Sequence, residues 1–179
     1  MKSKTSIKYQ IIALVFLFIL LASCESEHGI APKPIVEKGF GFGGNIVFYG
    51  AWPDTIDLVV LIVFKDPLAT PEDFVITNIG FLRNPLQLGI QNLQYSSLDS
   101  SIIPLTQQDP PPSEYHYAAV ASAKEFSLDR KDWFVRGVYY TNGDEATPGT
   151  IYIPKDSYVD NINIYCDFND PPPQPPGGN

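Results

Sequence analysis

Cys24, Cys166, His28 and His116 are the side chains of this 179-residue sequence best suited to nucleophilic or metal chemistry. Their spacing does not assemble either. The two histidines lie 88 positions apart, whereas a zinc site needs three or four protein ligands; no metal and no cofactor are expected. A catalytic thiol needs a base beside it, and Cys166 sits in "DNINIYCDF", where period-two spacing puts Ile162, Ile164, Cys166 and Phe168 on one strand face. The expectation is a buried, inert thiol. "GFGFGG" at 39–44 precedes the first strand instead of linking a strand to a helix, so it reads as a hinge and not as a dinucleotide loop. There is no Gly-x-Ser-x-Gly elbow. Asp144 and Glu145, and Asp167, Asn169 and Asp170, offer oxygen ligands for calcium but lack the alternating spacing of an EF-hand loop. Asn142-Gly143 beside the first pair is a turn signal. The chain is expected not to be an enzyme, with no catalytic residue to name.

Cys24 has a different context. Residues 1–10 carry Lys2, Lys4 and Lys8 and no acid, and Ile11 to Ala22 form 12 consecutive apolar residues. Such a run is shorter than the ~20 residues a spanning helix needs, and it fits the basic and apolar regions of an export signal. It ends Leu21-Ala22-Ser23-Cys24, followed by Glu25 and Glu27. This order of charge, apolar run, small residues and cysteine resembles the lipobox of bacterial lipoproteins. The resemblance implies cleavage before Cys24, acylation of its thiol and new amino terminus, and a lipid anchor in the cell envelope. Glu25 in place of an aspartate directs the expectation to the outer membrane, its face left open.

Three of the 12 basic residues precede Cys24, so the remainder holds 9 basic against 20 acidic side chains, a net of −11. Nucleic acid is excluded as a partner, because its phosphates require Lys and Arg, and so is electrostatic adhesion to anionic lipid. With one thiol left, no internal disulfide forms. The expected organisation is a signal at 1–23, a lipidated tether at 24–41, one domain at 42–168 and a disordered Pro/Gly-rich tail at 169–179. That tail ends in "DPPPQPPGGN", five prolines and two glycines in ten residues.

Within 42–168 the pattern is β throughout. "IDLVVLIVFK" is apolar on both faces, as a central strand covered on both sides would be. "NIVFYG", "DFVITNIGFL", "LGIQNLQYSSL", "EYHYAAVASA", "DWFVRGVYY", "TIYIP" and "VDNINIYCDF" supply the others. Simple alternation in "DWFVRGVYY" sets Trp133, Val135, Gly137 and Tyr139 against Phe134, Arg136, Val138 and Tyr140. Short strands with turn signals between them predict an all-β, single Greek-key sandwich of about seven or eight strands, immunoglobulin- or transthyretin-like. Gly44, Trp52-Pro53, Gly137-Val138-Tyr139 and Pro148-Gly149 in that order resemble the transthyretin-like, or carboxypeptidase-regulatory-like, domains of envelope lipoproteins. That resemblance implies a sandwich without catalytic residues.

The expected role is therefore a membrane-anchored, non-catalytic binding or structural module. Its expected partner is an envelope protein, or alternatively a glycan. A protein partner calls for an exposed apolar patch or an open sheet edge. A glycan calls for two or three exposed aromatics in a row, drawn from Trp52, Trp133, Tyr115, Tyr117, Tyr139, Tyr140, Tyr152, Tyr158 and Tyr165. An enzyme would need a pocket with convergent carboxylates or His116.

Overall fold

The computed structural model describes residues 39–83, 85–105, 113–141 and 147–178. Cys24, His28, the 1–23 signal and the tether up to residue 38 lie outside them, as do Asn142, Gly143, Asp144 and Glu145. The described chain is all-β: β1 (Gly41–Tyr49), β2 (Leu58–Phe64), β3 (Ile79–Arg83), β4 (Asn92–Ser96), β5 (Ile102–Pro104), β6 (Glu114–Tyr115), β7 (Tyr117–Ala123), β8 (Phe134–Tyr139), β9 (Ile151–Tyr152), β10 (Tyr158–Val159) and β11 (Ile164–Asp167). Only single 3₁₀ turns interrupt it, at Pro71–Asp73, Ile76–Asn78 and Arg130–Asp132. The count exceeds the expected seven or eight because β6, β9 and β10 are two-residue pairings with no sequence period of their own.

Nine strands share one mixed sheet, in the order β10-β1-β11-β8-β7-β2-β3-β5, with β4 also on β1. The first and last strands run parallel, Ile46 opposite Ile164, while β4 pairs antiparallel along the other edge of β1. The sheet curls almost to a barrel, and β6 and β9 form a separate small pair.

β2 explains the two-sided apolar pattern. It lies between β7 and β3. Val59, Leu61 and Val63 enter the main core, and Val60, Ile62 and Phe64 face the other side. Each such aliphatic side chain gains about 1.5–3 kcal/mol on full burial. β7 is buried at all seven positions; outward it carries Tyr117 and then the small Ala119, between Ile62 and Val138, and Ala121, between Val60 and Val135. β11 follows its expected period, with Ile162, Ile164 and Cys166 in the core and Phe168 against it.

Two local features depart from simple alternation. Ala121 pairs with Val135 but Val120 pairs with Gly137, so Arg136 is an extra residue in β8. This bulge places Val135, Val138 and Tyr140 in one outer cluster and returns Gly137 to the inner side, where a Cβ would lie 2.6 Å from the Cys166 sulfur. The alternation read across "DWFVRGVYY" therefore breaks at Arg136, which donates from Nε to Ser122 Oγ at 2.8 Å. The glycine run is likewise no hinge: β1 begins at Gly41, and Phe42 is a core residue. Gly44 is required because a Cβ there would strike the carbonyl of Ile162, the same carbonyl that accepts the Tyr95 hydroxyl at 2.6 Å.

The segment after β11, expected to be a disordered tail, is held to β8 at Gln174 and to Arg130 and Pro71 at 175–178. The Gln174 amide receives the Val135 N–H (2.8 Å) and donates to the Val135 carbonyl (2.9 Å). Pro175 is buried, and its carbonyl accepts from Arg130 Nη2 at 3.0 Å. Proline keeps this segment out of a ladder, but one side-chain amide supplies the pairing that its backbone cannot.

Burial pushes the Tyr115 hydroxyl up to about 12 and moves Tyr95, Tyr117 and the Cys166 thiol upward as well. These are acids that are neutral in the fold and ionise near their ordinary values, about 8.5 and 10, once unfolded. Their contribution is fully present below the unfolded values and is lost as pH rises past them. The urea midpoint is therefore expected to hold steady up to about pH 8 and to fall steeply above about pH 10. A midpoint flat from pH 8 to 11 would contradict the burial of these hydroxyls.

Candidate functional site: an apolar groove on the outer sheet face

The outward side of β2, β7 and β8 is covered only in part. Two connections rise beside it, 65–78 between β2 and β3 and 124–133 between β7 and β8. Between them runs a groove of about 580 Å³. Val60, Ile62, Phe64, Ala121 and Val135 line it from the sheet, Phe74, Val75 and Ile76 from one connection, and Phe126, Leu128 and Trp133 from the other. The small side chain of Ala121 leaves room that a larger residue on β7 would fill.

Polar contacts hold both walls, so their apolar residues need no core of their own to stay in place. In the first, Asp73 Oδ2 accepts the Thr70 and Ala69 amides at 2.7 and 2.8 Å, which holds its carboxyl below the usual carboxylate value. Buried Asn78 accepts the Asp66 amide at 2.8 Å and donates to the Asp73 carbonyl at 3.0 Å. This capture of the backbone turns 71–78 into two 3₁₀ turns, so the strand expected across "DFVITNIGFL" begins only at Ile79. In the second wall, Trp133 Nε1 donates to the Ser127 carbonyl at 2.8 Å and Ser127 Oγ to Asp132 at 2.6 Å.

Large apolar side chains stand in water at the rims: Val75 is 46% exposed, Ile76 54%, Phe126 57% and Leu128 67%. An apolar trough edged in this way is the usual mark of an interaction surface. Thr77, Tyr117, Ser127 and Arg130 bring polar groups to the lining, and no carboxylate joins them among the described residues. Arg130 is 7% exposed. Its guanidinium sits 4.6 Å from the centre of the Phe74 ring, and Nη1 donates to the Trp133 carbonyl at 2.6 Å. Burial lowers its proton affinity, and Tyr117 offsets part of that effect.

The residues singled out in the sequence do not converge. His116 lies 3.7 Å from Glu114 and 3.4 Å from the Thr150 hydroxyl, at the surface near β6. Cys166 is fully buried, its proton affinity raised by burial and only partly lowered by Arg136. Asp167 accepts the Asn169 amide at 2.8 Å, a local turn. Among the described residues no three metal-ligating side chains come together. Of the aromatics, Trp52 packs on Phe48 and Phe168, Tyr115 and Tyr117 are buried, and Trp133 lines the groove. Tyr165 stacks with Tyr49, rings 6.3 Å apart and 22° from parallel, and both are about half exposed.

The groove was not anticipated residue by residue. Its signal is present, however: Phe126 and Leu128 interrupt the polar run "KEFSLDRKD", and Val75 and Ile76 follow "PED". The chain matches no protein-family model, no curated protein and no solved structure.

Proposed function

We propose that this chain is a lipid-anchored lipoprotein of the cell envelope, acting as a non-catalytic binding module whose contact surface is the apolar groove. The observation that carries the proposal is the trough of about 580 Å³ with four half-exposed aliphatic and aromatic side chains on its rims. Specific small-ligand sites have volumes of about 300–1,000 Å³ and mostly apolar linings. The membrane attachment rests on Cys24 and its lipobox-like context, and Glu25 favours the outer membrane. The transthyretin-like assignment of the domain rests on Gly44, Trp52-Pro53 and Gly137-Val138-Tyr139. Gly44 and Gly137 are positions where the packing admits no Cβ. An apolar occupant fits the groove better than a sugar, whose hydroxyls would find few polar partners there. Glycan binding remains the second reading, favoured by the stacked and exposed Tyr49–Tyr165 pair.

Phe126→Asp combined with Leu128→Asp tests the proposal. Both side chains are largely solvent-exposed, so the fold is expected to lose no more than about 1 kcal/mol. Retention of the bound envelope component by the anchored chain is expected to fall at least tenfold. Retention equal to wild type, with Tyr49→Ala instead reducing it, would move the site to the tyrosine pair.

A further inference from the structure

The groove is apolar, but it is not uncharged. Arg130 brings a cation into a lining otherwise built almost wholly of carbon. It is more than nine-tenths buried. Its two bonds to protein go to neutral carbonyls, those of Trp133 and Pro175. Its Nε–H is buried with no acceptor, and no acid among the described residues forms an ion pair with it. Buried charges are ordinarily paired, and an orphaned donor on a charged group is costly to retain. The surroundings hold the group in place nonetheless: the Phe74 ring lies 4.6 Å from the guanidinium carbon, and Gly178 covers it so closely that a Cβ there would meet it.

We infer that the groove takes a single-chain amphiphile with a carboxylate head, a long-chain fatty acid or an acyl compound ending in the same group. The inference rests on the groove being the contact surface, as proposed above, and adds what occupies it. The acyl chain would lie along Val60, Ile62 and Ala121 between Phe74 and Trp133, and the carboxylate would accept from a remaining N–H of Arg130 Nη1 or Nη2, each of which gives only one to a carbonyl. Charge complementarity selects this occupant. A neutral apolar ligand leaves the cation unpaired, and an apolar cation is repelled by it. A planar guanidinium also matches a carboxylate in geometry. The net charge of −11 that follows Cys24 gives an anion no general attraction to the chain, so the pairing that selects it is local to Arg130.

The test uses the full chain in phosphatidylcholine nanodiscs and two photoreactive probes, a diazirine-bearing hexadecanoic acid and the matching hexadecanol, with the adducts mapped by peptide mass spectrometry. The acid is expected to label the 70–79 and 124–133 peptides about tenfold more than the alcohol, the ratio that one charge-assisted hydrogen bond supplies. Arg130→Met is expected to bring the two probes level, and Arg130→Lys to retain part of the difference. Equal labelling of the groove by both probes in the wild-type chain would overturn the carboxylate assignment and leave the groove reading standing. Absence of groove labelling by either probe would overturn the acyl occupant altogether. The Phe126→Asp/Leu128→Asp result then decides separately whether the groove is a contact surface. The wild-type comparison needs no variant to fold.

Discussion

Cys24→Ala is expected to leave the chain without fatty-acid label and with the segment before residue 24 still attached. The expectation follows from the order of residues 1–27: three lysines, 12 apolar residues, Leu-Ala-Ser, the cysteine, then acids. Each buried methylene of an acyl chain adds about 0.8 kcal/mol of membrane affinity, and one chain alone holds only marginally. Two or three chains on one residue give stable attachment, and all of them depend on that residue. Loss of label is the deciding readout, because an uncleaved chain keeps the apolar run 11–22, whereas the part after Cys24, at a net charge of −11, has no electrostatic hold on anionic lipid. Metabolic labelling with palmitate reads the result. A labelled Cys24→Ala chain would refute the lipoprotein assignment.

The second large effect concerns the core. Phe42 is 1% exposed and meets Phe81 edge-on at 5.2 Å, with Tyr95 and Tyr115 at 6.4 and 6.0 Å. Phe42→Ala removes that ring from a cluster that strands at both ends of the sheet order share. Truncation of a buried phenylalanine costs about 3–5 kcal/mol, lost ring contacts included. Domains of this size have about 5–15 kcal/mol in total, so the variant is expected to lose about a fifth or more of its stability. The urea midpoint should fall accordingly with little change of slope. Tyr165→Ala, at a position 58% exposed, is the control and should shift stability by no more than about 0.5 kcal/mol. A Phe42→Ala cost below about 1 kcal/mol would contradict the position of β1 in the core.

What could be read from the sequence was what hydrophobic period controls. β2 is apolar at every position because it is central and covered on both sides, and 162–168 alternate because one side faces the core. The all-β class followed from many such stretches. What escaped was set by side chains that capture backbone. Asp73 and Asn78 wind 71–78 into turns, where β-branched residues had suggested a strand. Arg136 enters β8 as an extra residue and reverses the faces beyond it. Gln174 fastens a proline-rich segment that composition alone marks as loose. The groove belongs to this second class. Its floor is the outer side of a legible strand, but its walls are two loops brought together only by the fold. Arg130, the residue most informative about the ligand, looks like an ordinary charge in "LDRKD".

If the groove is the contact surface, a group placed on its rim meets whatever binds there. The most direct measurement places a photoreactive side chain there, as Leu128→p-benzoylphenylalanine in the full, anchored chain. The same change at Tyr152, an exposed residue outside the groove lining, is the comparison. After irradiation of intact cells, a groove that makes the contact gives a discrete adduct from position 128 and none from position 152. Adducts of equal yield from both positions, or from 152 alone, would contradict it.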